Sequence, residues 1–485
     1  MRSAAVAFIL SIVCGTILTP LVRRFAHRIG ALDHAWSSRK IHSRPIPRLG
    51  GVAIVVAFYV PIVGLLLFHS EVGRLFVAER NHVVGLFVGG AAIALLGVYD
   101  DLKGAGAGRK FLVQFAVAGF MYWLGYRIEA LANPFGAELR LGWVSLPFTL
   151  FWIVGVINAL NLIDGLDGLA GGVALTAVLT TFLISLQRAH PLMMLFSGAL
   201  AGSILGFLFY NFNPATIFMG DTGSMFLGFV LGTSAIQTNQ KSSTAVAVLI
   251  PGIALGLPIM DTLLAMGRRA LRGRSMFQAD KEHIHHRLLA RGLSHRQAVL
   301  VLYGFCVLLG AVALVLTYTN SLESAFLLLA LSAIAVVALR ALGYMRFDRI
   351  SDSASERRKN KALRAAARPL GTRLRLVATL EEVWVIVAEA AVVFGATRLH
   401  VGPTPEFSHE VEGTGSGATD LFESRFVLPG SEATLELGWR DGRSEIDRDT
   451  EIAVDLFCEH LAEALERLKT AATTRRSANR PGPVA

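Results

Sequence analysis

The chain has 485 residues, of which 53% are apolar and 17% charged, with a net charge of +10. A charged fraction so far below the roughly 25% of soluble chains excludes one large soluble core and points to a polytopic membrane protein. Cys14, Cys306 and Cys458 stand far apart, which excludes a disulfide framework and leaves no zinc spacing.

Apolar runs predict eleven transmembrane helices, near 3–22, 50–68, 82–99, 111–126, 144–162, 168–187, 193–211, 223–237, 244–266, 298–318 and 323–343. Only Arg2 precedes the first run and no small-x-small cleavage site follows it, so it reads as a span and not a signal peptide. Lys and Arg crowd the loops after spans one, nine and eleven, for example Arg23, Arg24, Arg39, Lys40, Arg268, Arg269, Arg287, Arg357 and Arg358. The positive-inside rule then puts the N-terminus outside and the C-terminal part inside, in a multi-pass membrane protein.

That orientation sorts the polar, glycine-marked loops. Arg39 to Gly51, Asp100-Asp101-Leu-Lys103, Asn158 to Gly172, Gly220-Asp221-Thr-Gly-Ser224 and His283-Ile-His285-His286-Arg287 follow spans one, three, five, seven and nine. All five therefore face the cytoplasm, whereas randomly scattered polar loops would fall on both sides.

The third of these loops ends an apolar run with Asn158, Asn161, Asp164 and Asp167 at a spacing of three residues. On a helix such a set drifts by about 60° per step and cannot share one face. Gly165, Gly168, Gly171 and Gly172 predict that the helix opens there. Ionisable groups at a membrane boundary are costly and mark function; the alternative is a polar loop between spans. Asp100 and Asp101 end an apolar helix with Lys103, Arg109 and Lys110 close behind, and read either as a cap with a charged loop or as a substrate-facing pair. Asp221 either caps the next helix or serves as a ligand for Mg²⁺, which needs one or two protein groups and leaves its other positions to phosphate and water. His283, His285, His286 and Arg287 lack an accompanying cysteine and suit a polyanion such as a diphosphate better than zinc. Lys40 fits a phosphate patch and a lipid-facing basic loop equally. Together these groups suggest Mg²⁺-assisted transfer involving a diphosphate, with one substrate arriving from the bilayer.

Gly97-Val-Tyr-Asp-Asp-Leu-Lys103, Asn158-Ala-Leu-Asn-Leu-Ile-Asp-Gly-Leu-Asp-Gly-Leu169, Gly220-Asp-Thr-Gly-Ser224 and His283-Ile-His-His-Arg-Leu288 carry a family likeness. Over about residues 1–343 the chain resembles the polyprenyl-phosphate N-acetylhexosamine-1-phosphate transferases of glycosyltransferase family 4. The His-Ile-His-His-Arg form looks like the N-acetylglucosamine-1-phosphate branch. The resemblance implies attack of undecaprenyl phosphate on the β-phosphate of a UDP-sugar, with release of UMP. It further implies Asn161 and Asp221 as ligands of Mg²⁺, with Mn²⁺ as an alternative, and Asp100 and Asp101 at the lipid phosphate. Asp164 and Asp167 would line the nucleotide-sugar site, with Asn158 beside them. Lys110 matches a basic position after the Asp pair, and His283, His286 and Arg287 would hold the diphosphate, with His285 alongside. One departure bears on the sugar: Gly104 stands where many relatives of that branch have a third acid. Muramoyl-pentapeptide transfer is the alternative within the family; a lipid-linked sugar flippase or an inactive scaffold is the alternative outside it.

After residue 343 the composition changes. Residues 344–372 read as a basic linker or a helix on anionic lipid, and 373–470 as a small cytoplasmic α+β domain. Helices are expected over Leu380–Val393 and Ile446–Leu468, strands over Arg398–Val401, Ser424–Leu428 and Ala433–Trp439, and a loop over Gly413–Gly417. A disordered tail over 471–485 completes the chain. The expected partners are a UDP-sugar, undecaprenyl phosphate, the lipid bilayer and a second copy of the chain, but no nucleic acid.

Overall fold

A computed structural model describes residues 2–33, 45–68, 70–131, 139–239, 249–271, 283–319, 321–341, 362–363, 365–402, 406–410, 421–429, 433–441, 446 and 448–478. Lys40, residues 344–361, the Gly413–Gly417 loop and residues 479–485 lie outside the described residues. Two compact units divide the chain, Met1–Gly267 with Phe277–Arg346, and Arg268–Met276 with Phe347–Ala485.

The first unit is a helical membrane protein. Among the described residues, eight helices are long and apolar enough to cross a bilayer. They are α1 (Arg2–Arg28), α2 (Gly50–Phe68), α4 (Arg80–Lys103), α6 (Ser145–Ile163), α7 (Leu169–Gln187), α8 (Pro191–Asn211), α13 (His295–Val315) and α14 (Ser321–Ala341). The remaining three predicted spans fall on α5 (Ala107–Trp123), α9 (Gly220–Asn239) and the pair α10 (Leu249–Ala254) and α11 (Gly256–Leu271), which are shorter or less apolar. Two short helices, α3 (Ser70–Ala78) and α12 (Ile284–Ala290), and two small hairpins, β1 (Leu32–Asp33) with β2 (Ile46–Pro47) and β3 (Ala130–Leu131) with β4 (Leu139–Arg140), fill the connections.

Helix α8 lies at the centre, buried over most of its length, whereas α14 is almost wholly exposed. In lipid the hydrophobic effect does not draw helices together, so close backbone approach must supply the contact. Helix α8 carries Gly198, Gly202 and Gly206 four residues apart, facing Ala4, Phe8, Ser11 and Gly15 of α1. A Cβ on Gly202 would lie 2.2 Å from the Phe8 carbonyl oxygen. Helix α9 is set the same way against α2, α4 and α6; a Cβ on Gly97 would lie 2.3 Å from the Thr222 Cα. Phe58, Phe196 and Phe226 fill the space between α2, α8 and α9 with tilted and edge-on ring contacts.

The second unit has a four-stranded antiparallel sheet of β5 (Arg398–Gly402), β6 (Phe407–Glu410), β7 (Phe422–Val427) and β8 (Thr434–Trp439), in the order β6-β5-β8-β7. Strand β6 has no counterpart in the predicted elements. Helices α15 (365–374), α16 (Leu380–Val393) and α17 (Arg448–Ala478) pack on one face of the sheet. Leu399, Val401, Leu435 and Leu437 alternate into that core, and buried Trp439 donates its indole N–H to the Phe394 carbonyl at 3.1 Å.

Branching a side chain into the α1–α8 seam should be costly. Gly202→Val is expected to destabilise the first unit by about 1–3 kcal/mol. Gly155→Val, at an exposed position with nothing near its Cβ, serves as the control. Equal melting midpoints for the two variants in detergent would show that the seam is not under this constraint.

Candidate active site

Asp100 and Asp101 occupy the last turn of α4 and have different partners. Asp101, only 5% exposed, accepts hydrogen bonds from the Asp221 N–H at 2.9 Å, the Thr222 N–H at 3.0 Å and the Thr222 hydroxyl at 2.6 Å. Its carboxylate thus satisfies the open N–H groups at the start of α9. Gly220, at φ +69°, lets the chain turn there, and a side chain would meet both Asp101 oxygens at 2.7 Å. Arg48 donates through Nε to the Asp101 carbonyl at 2.9 Å, and the Arg48 strand is fixed by hydrogen bonds between residues 47–51 and 218–219.

Asp100 is held instead by the Ala105 N–H and by Lys110 Nζ at 2.6 Å. Lys110, from α5, also donates to Asp221 Oδ2 and so bridges Asp100 and Asp221 with one ammonium. Asn161 reaches the same helix start: its Nδ2 donates to Ser224 Oγ at 3.0 Å, while its Oδ1 has no hydrogen-bond partner among the described residues.

Helix α6 ends at Ile163, and residues 164–168 form a turn before α7 begins at Leu169. Gly168, at φ +76°, donates its N–H to Asn211 Oδ1, and its carbonyl accepts from the Tyr303 hydroxyl. Asp167 accepts from Asn213 Nδ2 at 3.0 Å and the Ala215 N–H at 2.9 Å, which ties this turn to the segment ahead of α9. Asn158 stays on α6, where its amide donates to Gln114 Oε1 and the Val154 carbonyl. The helix therefore opens where the glycines predict, after the two asparagines and before the two aspartates.

In the histidine segment, His283 and His285 are buried. His283 Nδ1 lies 2.8 Å from Asp261 Oδ2, and neither ring nitrogen of His285 has a hydrogen-bond partner among the described residues. Burial, with His286 next to it, pushes His285 down to about 3, so its ring is neutral.

A cavity of about 900 Å³ collects these elements. Asp101, Asp164, Asp167, Asp221 and His286 line it. Asp100, Lys110 and Asn161 lie behind the wall, Lys110 bridging Asp100 to Asp221 and Asn161 bonded to Ser224, whose hydroxyl donates to the carbonyl of Gly220 on the wall. Asn158, His283, His285 and Arg287 are not on its wall. Arg48, from the basic loop that includes Lys40, lines it as well, and His27, Asp33, Asn211 and His295 line it without belonging to any predicted set of site residues. Only the density of charge near predicted loops could have drawn attention to them.

Charge dominates this cavity. Loss of water, followed by the charges of Asp221, Asp101 and Asp167, raises the half-buried Asp164 to about 8. One lysine ammonium does not neutralise such a group of carboxylates, so the donor set suits a divalent cation. Among the described residues no three His, Cys, Asp or Glu side chains converge at ligand distance.

The sequence is similar to known proteins. The sequence profile described as "Glycosyl transferase family 4" matches residues 83–239. The chain is 40% identical over 317 residues to the "Probable undecaprenyl-phosphate N-acetylglucosaminyl 1-phosphate transferase" of Bacillus subtilis, covering 65% of this chain and 86% of the relative. It is 34% identical to the "Decaprenyl-phosphate N-acetylglucosaminephosphotransferase" of Mycolicibacterium smegmatis over 62% of this chain and 79% of the relative. Identity to the "Phospho-N-acetylmuramoyl-pentapeptide-transferase" of Listeria welshimeri is 31%, over 64% and 94% respectively.

The raised Asp164 carboxyl fixes a pH dependence for the metal-free chain. Unfolded, this group ionises near pH 4, whereas folded it keeps its proton to about pH 8. Stability should therefore fall as pH rises across that window and level off above it. Melting midpoints in detergent with EDTA, taken from pH 5 to 9, should decline in the parent and flatten in Asp164→Asn. Parallel slopes would contradict the assignment.

Proposed function

Because the chain belongs to glycosyl transferase family 4, we propose that it transfers N-acetylglucosamine 1-phosphate from UDP-N-acetylglucosamine to undecaprenyl phosphate. UMP leaves, and the lipid diphosphate sugar begins a cell-envelope glycan. The observation that carries this reading is the Lys110 bridge between Asp100 and Asp221 beside a carboxylate-lined cavity, in a chain whose Bacillus subtilis relative bears that activity in its name. The stronger identity to that relative, 40% against 31% for the muramoyl-pentapeptide transferase, supports the glucosamine branch. Following the positive-inside rule, the cavity opens to the cytoplasm at the bacterial plasma membrane.

Mg²⁺, or Mn²⁺, held by Asp221 and the free Oδ1 of Asn161, would supply positive charge to the diphosphate oxygens. The protein's own groups do the rest. His286, on the cavity wall, offers a donor to the diphosphate. Lys110 holds Asp100 and Asp221 close to each other and can exchange either carboxylate for a phosphate oxygen as its acceptor. Asp164 and Asp167 face the nucleotide sugar. An oxygen of the lipid phosphate forms the new bond to the β-phosphorus, the bond between the β-phosphorus and its bridging oxygen breaks, and UMP carries that oxygen away. A phosphate monoester has a second pKa near 6, so the attacking group is already mostly dianionic at pH 7. Asp100, constrained by Lys110 and the Ala105 N–H, orients this nucleophile more than it deprotonates it.

Purified protein, undecaprenyl phosphate, Mg²⁺ and radiolabelled UDP-N-acetylglucosamine test the reading, with UDP-N-acetylmuramoyl-pentapeptide as competitor. Product from the pentapeptide alone would move the chain to the other branch, and no lipid product or UMP from either would sink the transferase reading. Asp221→Ala and Asn161→Ala should each lower UMP release by about a hundredfold or more; near-normal turnover in either rejects that residue as a ligand. Asp100→Asn should leave the nucleotide-sugar KM within about threefold while kcat collapses. Full recovery of its rate at high pH would assign Asp100 as the base instead.

A further inference from the structure

Asp261, near the middle of α11, belongs to none of the site motifs, yet it is 2% exposed and both of its oxygens are engaged. Oδ2 lies 2.8 Å from His283 Nδ1, and Oδ1 accepts the Ile284 N–H at 2.9 Å. An ionised carboxylate only accepts, so the contact places the His283 proton on Nδ1. Asp261 does not line the cavity, and both of its oxygens are already taken by His283 and the Ile284 N–H.

From His283 the contacts continue towards the cavity. The His283 and His285 rings are stacked, 5.7 Å apart and 6° from parallel, and His285 lies 4.3 Å from the His286 ring. His286 is on the cavity wall. The other side of His285 presses on the turn that carries Asp164 and Asp167: a Cβ added to Gly165 would fall 2.7 Å from His285 Nε2. Neither His285 ring nitrogen has a hydrogen-bond partner among the described residues, so the ring is held by packing against His283 and His286.

We propose that Asp261 is a positioning residue of this site. By holding His283 and the first turn of α12, it keeps His286 on the cavity wall and His285 wedged against Gly165. One buried carboxylate thereby braces two segments that reach the cavity from distant parts of the chain. A buried group bonded at both oxygens is costly to unmake, because its partners are left without acceptors.

The inference rests on the transferase reading, and its test separates the two. In Asp261→Asn, His283→Gln and Gly165→Ala, the KM for UDP-N-acetylglucosamine should rise about tenfold, the size of a typical coupling between contacting groups. The KM for undecaprenyl phosphate should stay within about twofold and kcat within about threefold. Normal nucleotide-sugar KM values in all three, or a loss of kcat with every KM unchanged, overturns the proposal. The double variant Asp261→Asn/His283→Gln should be no worse than the poorer single variant, in KM and in melting midpoint; multiplied effects would show that the two residues act separately. If the parent releases no UMP, the transferase reading falls, and the melting cycle still decides whether Asp261 and His283 work as a pair.

Discussion

The constraint from which the rest follows is the gathering of several carboxylates in a poorly hydrated pocket at the end of a membrane helix bundle. Asp164 meets the charges of Asp221, Asp101 and Asp167, and it holds its proton to about 8 when no added cation offsets them. Such a cluster is expensive to assemble, because like charges repel more strongly where water is scarce. The chain lowers that cost in two ways. Asp101 is committed to the N–H groups that open α9, where a helix start favours negative charge. Lys110 places its ammonium between Asp100 and Asp221. What remains is a surplus of negative charge with a free amide oxygen nearby, the composition expected of a site that binds a divalent cation together with phosphates.

This arrangement requires α4, α6 and α9 to approach more closely than ordinary side chains allow. The Asp101 bonds to Asp221 and Thr222 are possible only because Gly97 lets the α9 backbone lie against α4 and Gly220 turns the chain beside the carboxylate. On the far side, Gly228 of α9 lies against the backbone at Ile157, one residue before Asn158, so Asn161 of α6 can reach Ser224. The same small residues that let helices associate in lipid thus also set the spacing of the charged groups. Packing and chemistry are not separable here.

Much of this was legible in the sequence, and what was not has a physical reason. Apolar length located the membrane helices well, since a span needs a long hydrophobic run whatever its neighbours are. It located α5, α9 and α11 as well, although these are shorter or more polar than a span requires. Glycine spacing correctly indicated an opening between Ile163 and Leu169. The spacing of Asn158, Asn161, Asp164 and Asp167 could not reveal that Asn158 is bonded to Gln114, because that contact depends on how α5 lies against α6. Asp261 was invisible for a similar reason. It sits alone in an apolar run, 22 residues before His283, and only the return of the chain through α12 makes them partners. Local spacing reports which groups are costly; it does not report which of them have been satisfied by another helix.

That distinction bears on what each acidic residue does. Five aspartates occur in motifs of similar appearance, yet their hydrogen bonds divide them. Asp101 has spent its carboxylate on backbone and hydroxyl donors, and Asp167 has tied one oxygen to Asn213 and Ala215. Asp221 is bound to a lysine side chain, and Asp100 keeps one oxygen on that lysine and the other on the Ala105 N–H; the lysine can turn away at the cost of a rotamer change, whereas a backbone amide cannot. The Asp164 carboxyl has no hydrogen-bond partner among the described residues, and burial together with the charges of Asp221, Asp101 and Asp167 raises its pKa. A carboxylate whose donors are fixed in the backbone contributes shape, while one whose donors are mobile or missing can exchange them for a cation or a phosphate-bearing substrate. By that criterion Asp100, Asp164 and Asp221 are the groups free to take part in the proposed transfer, and Asp101 and Asp167 hold the frame in which they do so.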